Sequence, residues 1–150
     1  KEFYKDHDFI KFANNMLNKI RQNYEKDCII FEHGANCDNS IVACGTNHAH
    51  LHIIPYEKSL LNGMKKKGLV WLECNMNEIE KVVGGKEYWF YAEKIQSLQD
   101  VKGYLHIIEQ PESQFFRKLI AREEKCEKSF NYKEYLFYEN VEATYNKLRG

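Results

Sequence analysis

The chain has 150 residues, 43% of them hydrophobic and 14% aromatic, which is enough for one ordinary domain with a buried core. Its 22 basic and 22 acidic residues cancel, so no overall positive field favours nucleic acid, which is not expected as a partner. No apolar run approaches the length that spans a membrane, so a membrane partner is not expected either. The five cysteines include no C-x-x-C pair, which indicates reduced thiols and a cytoplasmic protein.

Hydrophobic periodicity divides the first third of the chain into a helix and two strands. Apolar residues at helical spacing predict a helix over 8–25, with Asp6 or Asp8 as its cap. The apolar run CIIFEH (28–33) predicts a short buried strand. A polar loop over 34–45 then leads to a strand that carries histidines. The two strands are therefore predicted to be antiparallel neighbours joined by a long hairpin.

The rest of the chain alternates further helices and strands. The predicted strands are 69–74, 86–94 and 103–110. The predicted helices are a short one ending at Gly68, one that Asn77 and Glu80 open as a capping box and that stops at Gly84, one that begins at Pro111, and one over 138–148. This pattern predicts a single α+β domain over 1–150 with an antiparallel sheet, in which 56–150 is a C-terminal α/β extension.

The segment CGTNHAHLHIIP (44–55) contains three of the six histidines at alternate positions. They are His48, His50 and His52. On a strand alternate side chains share one face, and the apolar residues between them take the core face. The outer two histidines would then be about 13 Å apart, too far for all three to bind one metal ion. We therefore predict no metal and no cofactor, although a two-histidine site completed from elsewhere stays open.

A linear row of imidazoles suits a linear anion such as a polyphosphate. A neutral imidazole can attack phosphorus while its neighbours form hydrogen bonds with the phosphate oxygens. The alternative is a histidine-rich strand that only packs.

The run H-A-H-L-H-I-I (48–54) resembles the motif of the histidine triad (HIT) superfamily, and the helix–strand–loop–strand order of 8–55 is similar to that family's core. Two further segments are similar to the tails of bacterial triad-like proteins. They are LVWLECNMNEIEKVVGGKEYWFYAEK (69–94) and SQFFRKLIA (113–121). The resemblance implies a HIT-like antiparallel sheet with a packed helix.

The resemblance also implies a nucleotide hydrolase that cleaves at an α-phosphate of a dinucleoside polyphosphate or a nucleoside phosphoramidate. By motif position His50 would be the nucleophile that forms a nucleotidyl-histidine intermediate, and His48 and His52 would flank it. A third histidine, where transferase branches usually carry glutamine, favours hydrolase over nucleotidyltransferase. The alternative is a non-catalytic module that binds nucleotides, RNA ends or a protein partner.

Other residues around the motif are candidates for substrate binding. Where the family commonly has Asn-Gly on the preceding strand, this chain has His33 followed by glycine. The loop before the motif differs too, and Thr46, Asn47 or Ser40 would supply its phosphate contacts. A zinc site formed by His33 with two cysteines, Cys37 and Cys44, is a further alternative.

A second anion-binding candidate lies at the start of the helix predicted from Pro111. Ser113 and Gln114 are at its N-terminus, with Arg117 one turn on, and helix N-termini and arginine both bind phosphate. The alternative is a capping serine and a solvated arginine.

The family places strands of the nucleotide-base pocket ahead of the helix at 8–25, and this chain has none there. We therefore expect either a truncated chain or one whose ordered part begins after those strands. An apolar sheet edge would then be exposed, and a homodimer stays open.

Overall fold

A computed structural model describes residues 3–35, 49–110 and 112–149, which form a mixed structure of helices and one antiparallel sheet. The α+β class predicted from the sequence is confirmed. The helices are α1 (His7–Tyr24), α2 (Leu61–Lys66), α3 (Ile79–Val83), α4 (Phe115–Glu123) and α5 (Tyr138–Arg149). The strands are β1 (Cys28–Gly34), β2 (His50–Pro55), β3 (Leu72–Asn75), β4 (Tyr88–Ile95) and β5 (Lys102–Ile107). None of the helices in the described ranges is both long and apolar enough to cross a membrane.

The five strands are ordered β2-β1-β4-β5-β3, and each pairs antiparallel with its neighbours. The prediction that the first two strands are antiparallel neighbours is confirmed. The register places Cys28 opposite Pro55 and His33 opposite His50. Three of the five strands come from 56–150, so this segment completes the sheet that β1 and β2 begin. The histidine strand β2 is at one edge.

Helix α1 covers one face of the sheet with the apolar stripe that the sequence predicts. Asp6 caps it, and its carboxylate accepts hydrogen bonds from two first-turn amides at 2.9 and 3.0 Å. Ala13, Leu17 and Ile20 are buried one helical turn apart, in the same cluster as Ile30 of β1. Helix packing against a sheet supplies the stability that an isolated helix of this length lacks.

On the opposite face α2 and α4 cover the central strands, so β1 and most of β4 are buried on both sides. Alternate residues of β1 separate accordingly: Ile30 belongs to the α1 side, whereas Ile29 and Phe31 pack with Met64 of α2 and Leu119 of α4. This explains why β1 reads as a continuous apolar run with every residue buried.

Two predicted helix starts are wrong. Asn75, not Asn77, caps the segment before α3, and its side chain accepts from the amide of Asn77 at the start of a short 3-10 helix over 76–78. The helix predicted from Pro111 begins four residues later, at Phe115. Gln114 precedes it with a left-handed backbone (φ 59°), and a helix cannot continue through that conformation.

A buried carboxyl group fixes β1 to its neighbours on the α1 side. Glu32 is only 2% exposed and accepts hydrogen bonds from the hydroxyls of Tyr88, at 2.8 Å, and of Tyr4. Burial raises the pKa of this carboxyl above its ordinary value, against the opposing effect of the two hydroxyls. Gly34 makes room for the Tyr88 ring, because a Cβ at that position would lie 2.0 Å from it.

We expect Tyr88→Phe to lower the free energy of unfolding by roughly 1–3 kcal/mol, because it leaves a buried carboxyl oxygen without its donor. Urea unfolding measures the change. Tyr138→Phe is the matched control, since Tyr138 is 71% exposed and should lose little. Equal stability of the two variants would contradict the structural role of the Glu32 cluster.

Candidate functional site

His50 and His52 share the face of β2 that points towards α4. Their ring centroids are 5.1 Å apart with the planes at 74°. Leu51 and Ile53 pack into the core on the α1 side, as the alternation predicts. The other predicted residues of this region lie outside the described part of the chain. They are His48, Thr46, Asn47, Ser40, Cys37 and Cys44.

His33 joins these two histidines from the neighbouring strand. It is directly opposite His50 in the β1–β2 register, with the ring centroids 6.1 Å apart and nearly perpendicular. The side chain is buried, at 7% exposure. From the sequence, His33 was a candidate only by analogy with the family's motif. The structure shows that strand pairing brings His33 to the same face of the sheet as His50 and His52. We call His33, His50 and His52 the imidazole cluster.

The imidazole cluster borders a cavity of about 100 Å³ that has an aromatic floor. Phe31 stacks on the His52 ring at 4.6 Å and on Phe116 at 4.8 Å. Trp89 stacks on Phe115 at 4.1 Å. The predicted site did not include this floor, although the run EYWFY (87–91) in the predicted strand was its visible signal.

The N-terminus of α4 supplies the polar side of the cavity. Gln114 and Arg117 line it, while Ser113 is exposed and is not among the lining residues. The alternative of a capping serine is wrong, because no side chain caps α4 and Gln114 occupies the capping position. The other half of that alternative, an exposed arginine, agrees with the structure, in which the Arg117 side chain is exposed at the rim of the cavity. Arg117 is held in place: its Nε donates to the carbonyl of Phe130 at 3.1 Å, and its guanidinium lies 5.1 Å from the Tyr132 ring centroid.

Two members of the imidazole cluster are uncharged at neutral pH. Burial lowers the pKa of His33 to about 4, an effect that Glu87 opposes and His50 reinforces. Burial likewise lowers the pKa of His52 to about 4, with smaller contributions from His50 and Arg117. A neutral imidazole has one N–H donor and one acceptor nitrogen, so each of these rings can donate to a phosphate oxygen.

Glu112 is the one carboxylate among the described residues that line the cavity, and lysines neutralise it. Glu112 accepts from Lys67 at 2.9 and 3.1 Å and from Lys118 at 3.4 Å. Burial alone would raise the pKa of Glu112, but the two ammonium groups outweigh it and lower the pKa. Arg117 forms no ion pair with any residue of the described ranges. The net electrostatic character of the cavity wall therefore favours an anion.

A second cavity, of about 320 Å³, continues the cleft beyond His52. It shares Phe31, His52 and Arg117 with the first and is otherwise lined mainly by apolar side chains such as Ile54 and Ile120. The cleft thus has two arms that meet at His52 and Arg117, and we call the second one the apolar arm.

No family model, curated protein or solved structure matches this chain. Among residues 3–35, 49–110 and 112–149, no group of three His, Cys, Asp or Glu side chains could hold a metal ion. The function is therefore inferred from the sequence motif and from the geometry of the cleft.

We expect the imidazole cluster to make the fold sensitive to acid. The pKa of His33 and of His52 is about 4 in the folded chain and 6.5 ordinarily, so between these values the unfolded chain binds more protons. Stability should therefore fall as the pH drops from about 6.5 towards 4, by about 1.4 kcal/mol for each unit of pKa difference at a fully buried site.

Urea unfolding of wild type and His33→Gln between pH 7.5 and pH 4 measures this effect. The variant should show a shallower loss of stability on acidification. His7→Gln is the control, because His7 is 89% exposed and should keep the wild-type slope. Parallel pH profiles for wild type and His33→Gln would contradict the assignment.

Proposed function

We propose that the protein is a nucleotide hydrolase of the histidine triad type, which cleaves at an α-phosphate with His50 as the nucleophile. The observation that carries the proposal is the convergence of His33, His50 and His52 on one cavity beside Arg117. The motif resemblance supports it, and so does the helix–strand–strand order at the start of an antiparallel sheet, which fits a HIT-like fold.

In the first step a ring nitrogen of His50 attacks the α-phosphorus of the bound nucleotide. A P–N bond to His50 forms while the bond from phosphorus to the leaving oxygen or nitrogen breaks. The leaving group departs with the bonding electrons and takes up a proton from water; in the second step the attacking water returns one proton to the solvent. His50 lies between His33 and His52, and the His52 ring is close enough to the nucleophile to donate to an oxygen of the same phosphate.

Arg117 and His52 stabilise the charge that develops on the phosphate oxygens. The guanidinium is already oriented by the carbonyl of Phe130 and the Tyr132 ring, so little side-chain freedom is lost when phosphate binds. His52 is neutral and therefore acts through its N–H group rather than as a cation. By the motif, His48 would flank the nucleophile on the other side.

In the second step water attacks the same phosphorus and the P–N bond to His50 breaks. The products are a nucleoside monophosphate and the free histidine, and the oxygen of water enters the phosphate. Splitting one displacement into two is the established advantage of covalent catalysis.

The two arms of the cleft favour a substrate with a sizeable group on each side of the reacting phosphorus. Dinucleoside polyphosphates and nucleoside phosphoramidates have this form. We place the activity in the cytoplasm, because the described cysteines, Cys28, Cys74 and Cys126, are all free thiols.

We expect His50→Ala to abolish release of nucleoside monophosphate, by several orders of magnitude, because the covalent nucleophile is lost. Wild type and variant are incubated with a radiolabelled nucleoside phosphoramidate and with a dinucleoside polyphosphate. Acid-labile, base-stable label on the denatured wild-type protein should be absent from the variant. His7→Ala is the control, since it removes an exposed histidine far from the cleft.

Near wild-type turnover by a folded His50→Ala protein would refute the nucleophile assignment. If wild type binds nucleotides but neither releases monophosphate nor retains label, the chain is a non-catalytic nucleotide-binding module.

We also expect hydrolysis of the phosphoramidate to need no metal, because Arg117 and the imidazole N–H groups already stabilise the charge on phosphate. Activity is measured before and after dialysis against EDTA, using the phosphoramidate because its single phosphate needs no magnesium for charge neutralisation. Activity that is lost on dialysis and restored by zinc would contradict this prediction.

A further inference from the structure

Two buried polar atoms of the central cavity have no hydrogen-bond partner in the described part of the chain. They are Nε2 of His33 and Oε1 of Gln114. Both residues line the cavity, and His33 is 7% exposed. A buried polar atom without a partner costs roughly 1–3 kcal/mol. Such atoms in a native cavity indicate where a ligand supplies the missing bond.

Contacts place both residues beside the stacked rings of Trp89 and Phe115. His33 is opposite Trp89 in the β1–β4 register, and the Trp89 ring stacks on Phe115 at 4.1 Å. Gln114 directly precedes Phe115. A chain of contacts through Trp89 and Phe115 therefore leads from His33 to the start of α4.

The cationic group lies at the other end. Arg117 contributes to the lowered pKa of His52 and borders the apolar arm with it. His50 is between the two ends, with its ring centroid 6.1 Å from that of His33 and 5.1 Å from that of His52. The cleft thus has a cationic end at Arg117 and, on the other side of the proposed nucleophile, an end formed by His33 and Gln114. We call the latter the uncharged end because neither of these two side chains carries a charge, while the nearby Glu112 and Lys67 are paired with each other.

The chemistry of the uncharged end does not suit phosphate. A carboxamide oxygen is an acceptor and repels an anion, and the neutral His33 ring contributes at most one N–H. The complementary ligand group is uncharged and donates a hydrogen bond to Gln114. A hydroxyl or an amino group has these properties, and a hydroxyl can also accept from His33.

We propose that His33 and Gln114 form a subsite for an uncharged hydrogen-bond donor of the nucleoside, either a sugar hydroxyl or the amino group of the base. The inference rests on the proposed hydrolase function. It also sets the orientation of the substrate in the cleft: the nucleoside lies at His33 and Gln114, and the reacting phosphorus at His50. The leaving group then points towards His52 and Arg117. The inference replaces the expectation that Gln114 contacts phosphate.

Three probes test the subsite by the functional group that each one carries. They are the 5′-phosphoramidates of adenosine, of 2′,3′-dideoxyadenosine and of purine riboside, which lacks the amino group. Removing the group that pairs with Gln114 should lower kcat/KM of the wild type by about tenfold to a hundredfold, because the buried oxygen stays without a partner. A deficit for the dideoxy probe assigns the sugar, and a deficit for purine riboside assigns the base; either supports the subsite.

Variants at Gln114 show whether this residue causes the discrimination. Gln114→Met keeps the length but removes the acceptor, so it should slow the adenosine probe and equalise the probes. Gln114→Glu keeps an acceptor oxygen and should retain the discrimination. Gln96→Met is the matched control, because Gln96 is exposed and outside the cleft. Discrimination that persists in Gln114→Met overturns the assignment.

Equal kcat/KM for all three probes in the wild type overturns the subsite and leaves the hydrolase proposal standing. If no probe is hydrolysed, the hydrolase proposal fails. Calorimetric titration with the three nucleoside 5′-monophosphates then tests the subsite by the same comparison. Selective binding that Gln114→Met abolishes supports it, and equal affinities or no binding overturn it.

Discussion

The register between β1 and β2 is the constraint on which the candidate site depends. It sets His33 opposite His50 and Phe31 opposite His52, so that two imidazoles of one strand meet an imidazole and a phenyl ring of the next. A slip by one residue would turn every side chain of β2 to the other face and bury the histidines against α1. Nothing else in the cleft would compensate, because the rings of the aromatic floor and Arg117 lie on the α4 side of the sheet.

The Glu32 cluster fixes β1 against β4 and against the segment before α1, on the opposite face of the sheet. Glu32 lies between Phe31 and His33 on β1, so its side chain points away from the cleft, where the hydroxyls of Tyr4 and Tyr88 hold it. A carboxyl group buried without donors would cost several kcal/mol, which disfavours any alternative pairing that separates it from the two tyrosines. The polar cluster therefore contributes specificity of pairing, whereas the apolar contacts around it contribute most of the stability.

The sequence predicts those parts of the molecule that depend on local periodicity. The α1 stripe, the apolar β1 and the alternation of β2 follow from spacings within a few residues, and the antiparallel pairing follows from their order along the chain. Helix starts are harder to predict from the sequence. The start of α4 is set by the left-handed backbone of Gln114, a conformation that glutamine seldom adopts and that no sequence pattern indicates. The cavity wall could not be predicted from local sequence patterns either, since Trp89 and Phe115 come into contact only through pairing and packing between distant segments. The run EYWFY (87–91) predicts an aromatic strand, but not which of its rings would lie beside the histidine strand.

The two ends of the cleft differ in a way that gives the proposed reaction a direction. Arg117 is a permanent cation near His52, whereas the uncharged end presents a neutral imidazole and a carboxamide. A phosphate group moving along this cleft would be attracted towards Arg117 and would gain nothing beyond His50. The proposed nucleophile, His50, therefore lies where the favourable field begins. A leaving group that develops negative charge departs towards the cation, while the nucleoside keeps the contacts that need no charge. Such an asymmetry stabilises the transition state more than the bound substrate, because the charge on the leaving group grows as its bond to phosphorus breaks.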